Sequence, residues 1–252
     1  MSEEVSARQI ARWRTLSRRK GREREGLFLI EGERAVRQVI SNGRLKVESV
    51  LQEEGTDLSI PGTERVVRLD RETFRSISCA ETPQGIMAVA TIPAEAEVER
   101  VRHSRGILLA LDAIQDPGNL GTLLRTALWF GVEGVLIGKG TVDVWNPKVV
   151  RSTAGATGAL PWISGELETL IEELETAGWE TALLDIGENS KDLSTFSTSP
   201  RQILVVGNEG NGIRENLRQP HRPLVRIDGD SDRVESLNVA IAGGIALYSL
   251  SR

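Results

Sequence analysis

The chain has 252 residues, of which 39% are hydrophobic and 27% charged, with a net charge of −5. This is the composition of a globular protein with one large domain or two modest ones. No apolar stretch approaches membrane-spanning length, and the first twenty residues lack the hydrophobic core of a secretion signal, so we expect a cytoplasmic protein. One cysteine, Cys79, excludes an internal disulfide, and with only His103 and His221 beside it we expect no metal site.

The positive charge is concentrated near the amino terminus. Residues 1–46 carry twelve Lys and Arg against six Asp and Glu, whereas the rest of the chain carries nineteen against thirty. A helix predicted over residues 5–20 places several of these cations on one face. Such a face binds the phosphates of a nucleic acid, or it is simply the solvated side of a helix. The candidate nucleic-acid contacts are Arg12, Arg18, Arg19 and Lys20.

Residues 1–95 have the pattern of a small α/β domain. After the basic helix, "GLFLIEGERAVRQVI" predicts a strand and a second helix, and "VESVLQE" and "ERVVRLD" predict two further strands. A short helix in "RETFRSIS" and a strand in "QGIMAVATI" complete this domain. Residues 96–105 are rich in charge and poor in large apolar groups, so we predict that they form a linker, although "AEAEVERV" could equally be helical.

From residue 106 to residue 252, predicted strands alternate with helices. "GILLALDAI" is a strand apolar enough to be buried on both faces, and "NLGTLLRTALWFG" is a helix with one apolar stripe that ends at Gly131. Further strands are predicted in "VEGVLIG", "ALPWIS", "ETALLDI", "QILVVG" and "PLVRID", and further helices from Pro147, in "ETLIEELETAG" and from Ser236. This alternation predicts an α/β fold with a mostly parallel sheet.

Three loops at the carboxyl ends of predicted strands carry the polar residues of a candidate site. In "DAIQDPGNLGTLLR", we expect Asn119 to cap the helix, with Arg125 nearly two turns later. "LVVGNEGNGIRENL" places Glu209 in a glycine-rich turn. In "RVESLNVAIAGGIALY", we expect Ser236 to cap a helix whose small residues permit close packing. Because ligands of an open parallel sheet collect at this edge, the three loops are expected to form one site.

The glycine-rich turn is poorly suited to a phosphate. Gly207, Gly210 and Gly212 follow the spacing G-x-x-G-x-G, whereas a dinucleotide site has G-x-G-x-x-G and a Walker loop ends in Gly-Lys-Ser/Thr. Glu209 would repel an anionic oxygen by about 4 kcal/mol at ~4 Å and an effective dielectric of roughly 20. S-adenosylmethionine (AdoMet) fits better, because it has a sulfonium cation and no phosphate. The spacing therefore argues against a nicotinamide-dependent oxidoreductase.

The three loops together resemble the ordered motifs of a known family. Asn119-x-Gly121-x-x-x-Arg125, Gly207-Asn208-Glu209-Gly210-x-Gly212 and Glu235-Ser236-Leu237-Asn238-Val239 resemble those of the SpoU, or TrmH-like, RNA methyltransferases of the SPOUT superfamily. The resemblance covers about residues 106–250. The first 90 residues are similar to the RNA-binding domain that many of these enzymes carry in front. Each motif alone is common, but their order and their positions after predicted strands are specific.

The resemblance implies a fold, a reaction and a set of site residues. It implies a trefoil knot near the carboxyl terminus, a homodimer with active sites near the interface, and methyl transfer from AdoMet to a ribose 2′-hydroxyl. The implied catalytic positions are Asn119, Arg125, Glu209, Ser236 and Asn238. The implied cofactor positions are Gly207, Asn208, Gly210, Gly212 and Leu237, with Val225 or Ile227. Ribosomal RNA is favoured over tRNA because the chain carries a separate front domain.

The resemblance leaves several points open. Family proposals make Arg125 the general base, but an arginine has a pKa above about 12, so it could equally bind a phosphate and stabilise the developing oxyanion. Glu209 would orient Arg125 or accept the proton. An insertion at 228–233, with Asp228, Asp230 and Asp232, departs from the family pattern near the cofactor positions. A catalytically silent RNA-binding protein on the same fold is the alternative, against which the five polar motif residues argue.

Overall fold

The computed structural model describes residues 5–56, 58–63, 65–230 and 233–252. These residues form two compact units. The first comprises residues up to Ala94 together with Asp143–Ala159, and the second comprises Glu95–Val142 and Leu160–Arg252. The chain therefore leaves the second unit after Val142, completes the first, and returns. The sequence-based division into 1–95, 96–105 and 106–252 does not include this excursion and stays a prediction.

The elements of the amino-terminal region match the predicted order of helices and strands, with one exception. The helices are α1 (Ala7–Arg14), α2 (Arg19–Glu25), α3 (Glu33–Asn42) and α4 (Arg71–Ile77), and the strands are β1 (Leu27–Glu31), β2 (Val47–Glu53), β3 (Val66–Leu69) and β4 (Ile86–Thr91). The exception is the helix predicted over 5–20, which was wrong. The helix ends at Arg14, and a separate helix, α2, begins at Arg19. The chain folds back so tightly between them that a Cβ at Gly21 would lie 2.0 Å from the Thr15 carbonyl oxygen.

The four strands form one mixed sheet in the order β1-β4-β2-β3, in which only β2 and β3 are parallel. Helices α1 and α4 cover one face with buried Trp13, Phe74 and Ile77. The segment Asp143–Ala159 adds to this unit. Trp145 lies against Phe28 with ring centroids 4.7 Å apart, and the buried side chain of Arg22 donates to Asp143 from Nε at 3.2 Å.

The elements of the remaining chain, in order, are as follows. The helices are α5 (Glu99–Arg102), α6 (Pro117–Trp129), α7 (Pro147–Ser152), α8 (Leu167–Thr176) and α9 (Val239–Leu250). The strands are β5 (Gly106–Leu111), β6 (Gly134–Gly138), β7 (Trp162–Gly165), β8 (Glu180–Leu184), β9 (Lys191–Asp192), β10 (Arg201–Val206) and β11 (Leu224–Arg226). Helix α7 belongs to the first unit. Helix α5 lies within the stretch predicted as a linker and buries Val101.

The second unit contains a parallel sheet of seven strands in the order β7-β6-β5-β10-β8-β11-β9. Side chains alternate between its faces. Leu108, Ile203 and Leu183 pack with α8, whereas α6 and α9 cover the other face. The predicted α/β fold with a mostly parallel sheet is confirmed, and the trefoil knot stays a prediction. None of the helices in the described ranges is long and apolar enough to cross a membrane.

Candidate active site

A cavity of about 480 Å³ lies at the carboxyl edge of the seven-stranded sheet. Because all strands are parallel, the loops after β8, β10 and β11 lie at this edge and line the cavity. The residues that lead into α9 form the rest of its lining. All seven predicted cofactor positions line it, and so do Glu209, Ser236 and Asn238. Asn119 and Arg125 lie on α6, outside the cavity lining. Asp185, which the sequence analysis missed, also lines it and directly follows β8.

The loop after β10 is folded by its own backbone and by Asn208. Asn208 and Gly212 exchange two backbone hydrogen bonds of 3.0 Å, and the Asn208 side-chain oxygen accepts from Gly210 N at 2.9 Å. Gly212 has a φ of +65°, and a Cβ at Gly207 would lie 2.5 Å from the Gly212 carbonyl carbon. Glycine is therefore required at both positions for steric reasons. This tight turn carries Glu209 at its exposed tip.

Asn208 also joins two of the three loops. Its Nδ2 donates to the carbonyl oxygen of Ala113 at 2.8 Å, in the loop after β5. Ala113 has a φ of +58°, a conformation that few residues with a side chain adopt. The hydrogen bond therefore ties the glycine-rich turn to the strained loop that leads into α6.

A chain of side-chain hydrogen bonds connects the three predicted motifs. Asn238 Nδ2 donates to Asn119 Oδ1 at 3.0 Å, and Asn119 Nδ2 donates to Glu209 Oε1 at 3.0 Å. Backbone N–H groups fix the direction of this chain, because Asn238 Oδ1 accepts from Ala240 N at 2.9 Å at the start of α9. The Asn238 amide must then present its nitrogen to Asn119. An N–H consequently points at the Glu209 carboxylate.

The predicted helix caps were wrong, and the true caps explain why the asparagines meet. Asp116, not Asn119, caps α6 by accepting from Asn119 N at 2.8 Å, because Pro117 occupies the first helical position. Asn238, not Ser236, caps α9, which begins at Val239. Asn119 is therefore inside the first turn of its helix, and its side chain is available to the other two loops.

Arg125 is an exposed residue of α6. Among the residues that the structure describes, its guanidinium makes no hydrogen bond and no ion pair. Glu209 contacts Asn119 rather than Arg125 in this arrangement. Arg125 is therefore available to an anion from outside the chain, and its orientation does not depend on Glu209.

The four predicted nucleic-acid contacts of the first unit differ in their surroundings. Arg12 forms ion pairs with Glu25 at 2.7 Å and with Glu48 at 3.7 Å. Arg19 pairs with Glu23 at 2.7 Å, and this hydrogen bond raises the arginine's pKa. Arg18 and Lys20 are exposed and, within the described ranges, have no acidic partner. The last two are therefore the cations best placed to meet an external phosphate.

Both parts of the chain match known protein families. Residues 106–248 match the SpoU rRNA Methylase family, and residues 7–88 match the MRM3-like substrate binding domain. The chain belongs to the SpoU rRNA methylase family. A relative of this SpoU protein is the 23S rRNA (guanosine(2553)-2'-O)-methyltransferase RlmP of Bacillus subtilis (strain 168), which is 33% identical over 98% of each chain.

Solved structures agree with this assignment. A TrmH-family protein from Porphyromonas gingivalis is 32% identical to the SpoU protein and superposes with a TM-score of 0.82 over 98% of each chain. An AdoMet-bound rRNA methyltransferase from Sinorhizobium meliloti is 25% identical, with a TM-score of 0.84 over 99% of this chain and 96% of the other. The expected resemblance to SpoU, or TrmH-like, methyltransferases is therefore confirmed.

The segment 228–233, which we predict to be an insertion, begins directly after the cavity residue Ile227. Asp228 accepts from Arg226 Nε at 2.8 Å, and Arg226 also donates to the carbonyl oxygen of Ser190. The first residues of the insertion are thereby joined to the segment before β9. Asp232 lies outside the described residues. Among the described residues, no group of three or more His, Cys, Asp or Glu side chains could hold a metal ion.

Proposed function

We propose that this SpoU family member transfers the methyl group of AdoMet to a ribose 2′-hydroxyl of ribosomal RNA. The observation that carries the proposal is the hydrogen-bond chain Asn238–Asn119–Glu209, which joins one residue from each motif beside the cavity. The names of the relatives support the substrate and the cofactor: one acts on 23S rRNA, and one was solved with AdoMet bound. The amino-terminal unit supports an RNA substrate through its match to a substrate binding domain.

The cavity suits AdoMet in size and in charge. Its volume of about 480 Å³ lies in the usual range for small-molecule sites. The carboxylates of Glu209 and Glu235 line it without an ion partner among the described residues, whereas Asp185 is paired with Arg218 and the cation Arg226 with Asp228. Such a lining favours a sulfonium cation and opposes a phosphate. The glycine-rich turn gives a flat ligand close access to the backbone.

Ile227 is better placed than Val225 for the cofactor contact that the sequence left open. Val225 lies within β11, and its carbonyl oxygen accepts from Asp185 N at 3.0 Å. Ile227 follows the strand, and its backbone N–H and C=O make no hydrogen bond to any residue that the structure describes. A buried ring with donors and acceptors would satisfy those groups. Ile227 would therefore bind the adenine edge, and Val225 would pack beneath it.

The reaction needs the methyl carbon to lie in line between sulfur and the attacking oxygen. AdoMet supplies an electrophilic methyl group when it is bound. The chain's own residues position the proton acceptor: Asn238 donates to Asn119, and Asn119 donates to the carboxylate of Glu209. Glu209 is then the residue placed to take the proton of the ribose hydroxyl. Arg125 remains free to bind the phosphate or the developing oxyanion, which suits a permanently charged guanidinium better than a base role does.

We also propose a homodimer formed through α9. This helix is apolar on every side, which is typical of helices that are buried all round. One side packs against α6, but Ile241, Ile245 and Tyr248 on another side are 55%, 40% and 46% exposed. Trp129 at the end of α6 is 84% exposed. A second copy of this surface would cover both sets and bring two active sites near the interface.

The decisive experiment is methyl transfer to purified ribosomal RNA and tRNA with labelled AdoMet, followed by mapping of 2′-O-methylated nucleotides. We expect one site in ribosomal RNA and none in tRNA. The Glu209→Gln variant is the matched negative control, because its side chain has nearly the same size. Binding of AdoMet and RNA without any methyl transfer would instead indicate a catalytically silent RNA-binding protein.

A further inference from the structure

We infer that Arg214 binds a phosphate of the RNA substrate and that the buried carboxylate of Asp112 holds it in position. The inference rests on the proposed function, because it requires an RNA at the carboxyl edge of the seven-stranded sheet. Neither residue belongs to the three motifs. Asp112 directly follows β5, and Arg214 follows the glycine-rich turn, five residues after Glu209.

The carboxylate of Asp112 accepts two hydrogen bonds from Arg214. Its side chain is 0% exposed, and one carboxylate oxygen accepts from Arg214 Nε at 2.6 Å while the other accepts from Arg214 N at 2.8 Å. The two bonds fix both the start and the head of the arginine side chain. An arginine held in this manner loses little rotational freedom when it binds a second anion.

The ion pair with Asp112 leaves both terminal nitrogens of the Arg214 guanidinium without a hydrogen bond among the described residues. Asp112 occupies the Nε–H, while the four N–H bonds of Nη1 and Nη2 have no hydrogen-bond partner among the described residues, and Nη2 is buried. The side chain as a whole is 37% exposed, and Nη1, unlike Nη2, is not buried. The N–H bonds of Nη1 can therefore donate to a phosphate oxygen in a charge-assisted hydrogen bond.

The charges around the cavity favour a contact between Arg214 and a phosphate of the RNA. The carboxylates of Glu209 and Glu235 line the cavity without an ion partner among the described residues and repel a polyanion. Nearby cations are already paired with exposed or half-buried acids: Arg218 with Asp185, Arg226 with Asp228, and Lys139 with Glu166. The partner of Arg214 is instead fully buried, so it cannot meet the RNA. Arg214 therefore joins Arg125 as a cation that can face the substrate.

The competing explanation is that Arg214 only neutralises Asp112. A pair of substitutions separates the two explanations. Arg214→Gln alone leaves a buried carboxylate without its ion partner, so it lowers thermal stability as well as RNA affinity. The double variant Asp112→Asn with Arg214→Gln removes both charges and is expected to regain thermal stability.

RNA binding against salt concentration is the deciding measurement, with AdoMet binding measured separately. In the double variant we expect about tenfold weaker RNA binding, a log–log salt slope reduced by about 0.7–0.9, and unchanged AdoMet affinity. We also expect the KM for RNA to rise more than kcat falls. Wild-type RNA affinity and slope in the double variant would overturn the inference and return Arg214 to a structural role.

Two further variants complete the test. Arg214→Lys keeps a cation beside Asp112 but has no planar guanidinium that binds Asp112 through Nε while Nη1 donates to the phosphate, and we expect it to bind RNA about fivefold more weakly. Wild-type affinity in this variant would also count against the inference. Arg105→Gln changes an exposed arginine at the opposite, amino end of β5 and should alter neither the affinity nor the slope. Methyl transfer by the wild-type protein tests the proposed function independently of these binding data.

Discussion

Glu209 is the acceptor at the end of a hydrogen-bond chain that begins at a helix terminus. The N–H groups at the start of α9 orient Asn238, Asn238 orients Asn119, and Asn119 donates to Glu209. Each amide in such a chain has one acceptable orientation, because a reversed amide would place two donors or two acceptors together. The position of Glu209 therefore depends on residues that lie 90 positions before it and 29 after it.

The fixed direction of this hydrogen-bond chain predicts the outcome of exchanging its donor at position 119 with its acceptor at position 209. Asn119→Asp alone replaces the hydrogen bond that orients Glu209 with the repulsion of two carboxylates. Because Glu209 would then leave its place beside the cavity, we expect weaker AdoMet binding and a loss of methyl transfer. Adding Glu209→Gln supplies a side-chain N–H that can donate to the new carboxylate at position 119, and this carboxylate still accepts from Asn238. The double variant should recover AdoMet affinity, measured by titration calorimetry.

Methyl transfer by this double variant reports on the role of Glu209 itself. If the carboxylate takes the proton, activity should remain at least about 10²-fold below wild type even though the hydrogen bonds are restored. Recovery of activity together with AdoMet affinity would show that Glu209 has only a structural role. Glu209→Gln alone, which leaves Asn119 unchanged, is the control.

Arg125 offers a second test at the level of one residue. If it acts as a charged clamp, Arg125→Ala should lose roughly 10² to 10³ in single-turnover methylation, the effect of removing one preorganised donor. Arg125→Lys should keep partial activity with an unshifted pH profile. A lysine has a pKa near 10.4, below that of arginine, so an acid-shifted profile would instead identify a base at this position. AdoMet affinity should be unchanged in both variants.

Cys79 is expected to be chemically inert while the first unit is folded. Burial, followed by the negative charge of Glu31, raises the pKa of the Cys79 thiol to about 11. At pH 8 the reactive thiolate is then on the order of 100-fold scarcer than in an unfolded chain. Alkylation by iodoacetamide should be slow until denaturant is added, and Cys79→Ser gives the background. Because the folded pKa is raised, this residue's contribution to stability is lost as the pH rises from about 9 to 11.

At the level of elements, the contact between α6 and α9 holds two of the motifs together. A Cβ at Gly243 of α9 would lie 2.5 Å from Leu123 Cδ2, and Leu123 is fully buried in α6. At the next position along the helix, a Cβ at Gly244 would meet Thr126 Cγ2 at an ordinary 3.7 Å. The expected close packing by small residues of the last helix is therefore confirmed at Gly243.

The two neighbouring glycines provide a matched pair of substitutions. Gly243→Ala should lower the free energy of unfolding by about 1–2 kcal/mol, because the overpacking cost exceeds the gain in helix propensity. Gly244→Ala has room for its methyl group and should raise it by about 0.5–1 kcal/mol. Denaturant unfolding of both variants provides the comparison. Equal effects would mean that the two helices adjust freely at this contact.

The sequence predicted the three loops and every strand except the two-residue β9, because their signals are local. Continuous apolar runs identified β5 and β10, and polar residues after each strand identified the site. It could not predict the ion pair between Asp112 and Arg214, which are 102 positions apart, or the return of Asp143–Ala159 to the first unit. It also misplaced both helix caps, because Asn119, Asp116, Ser236 and Asn238 are chemically equivalent caps and only the start of each helix decides among them.

At the scale of the whole molecule, the exposed side of α9 predicts the state of association. Ile241→Glu with Tyr248→Glu should convert a dimer to monomers without reducing the thermal stability of each chain, since both side chains are about half exposed. Sedimentation velocity measures the result. Val66→Glu, at an exposed valine of the first unit, is the control and should leave the dimer intact. A monomeric wild-type protein would contradict the proposed assembly.

The return of Asp143–Ala159 to the first unit also determines when that unit is completed during protein synthesis. A ribosome makes the chain from its amino terminus, so the first unit lacks part of the segment Asp143–Ala159 until synthesis has reached Ala159, about 65 residues after Ala94. At roughly 5–20 residues per second, this interval is about 3–13 s. For most of this interval Phe28 and Arg22 lack their partners Trp145 and Asp143, while β5, α6 and β6 are already being made. The unit that begins first is therefore finished only after the second has started to form.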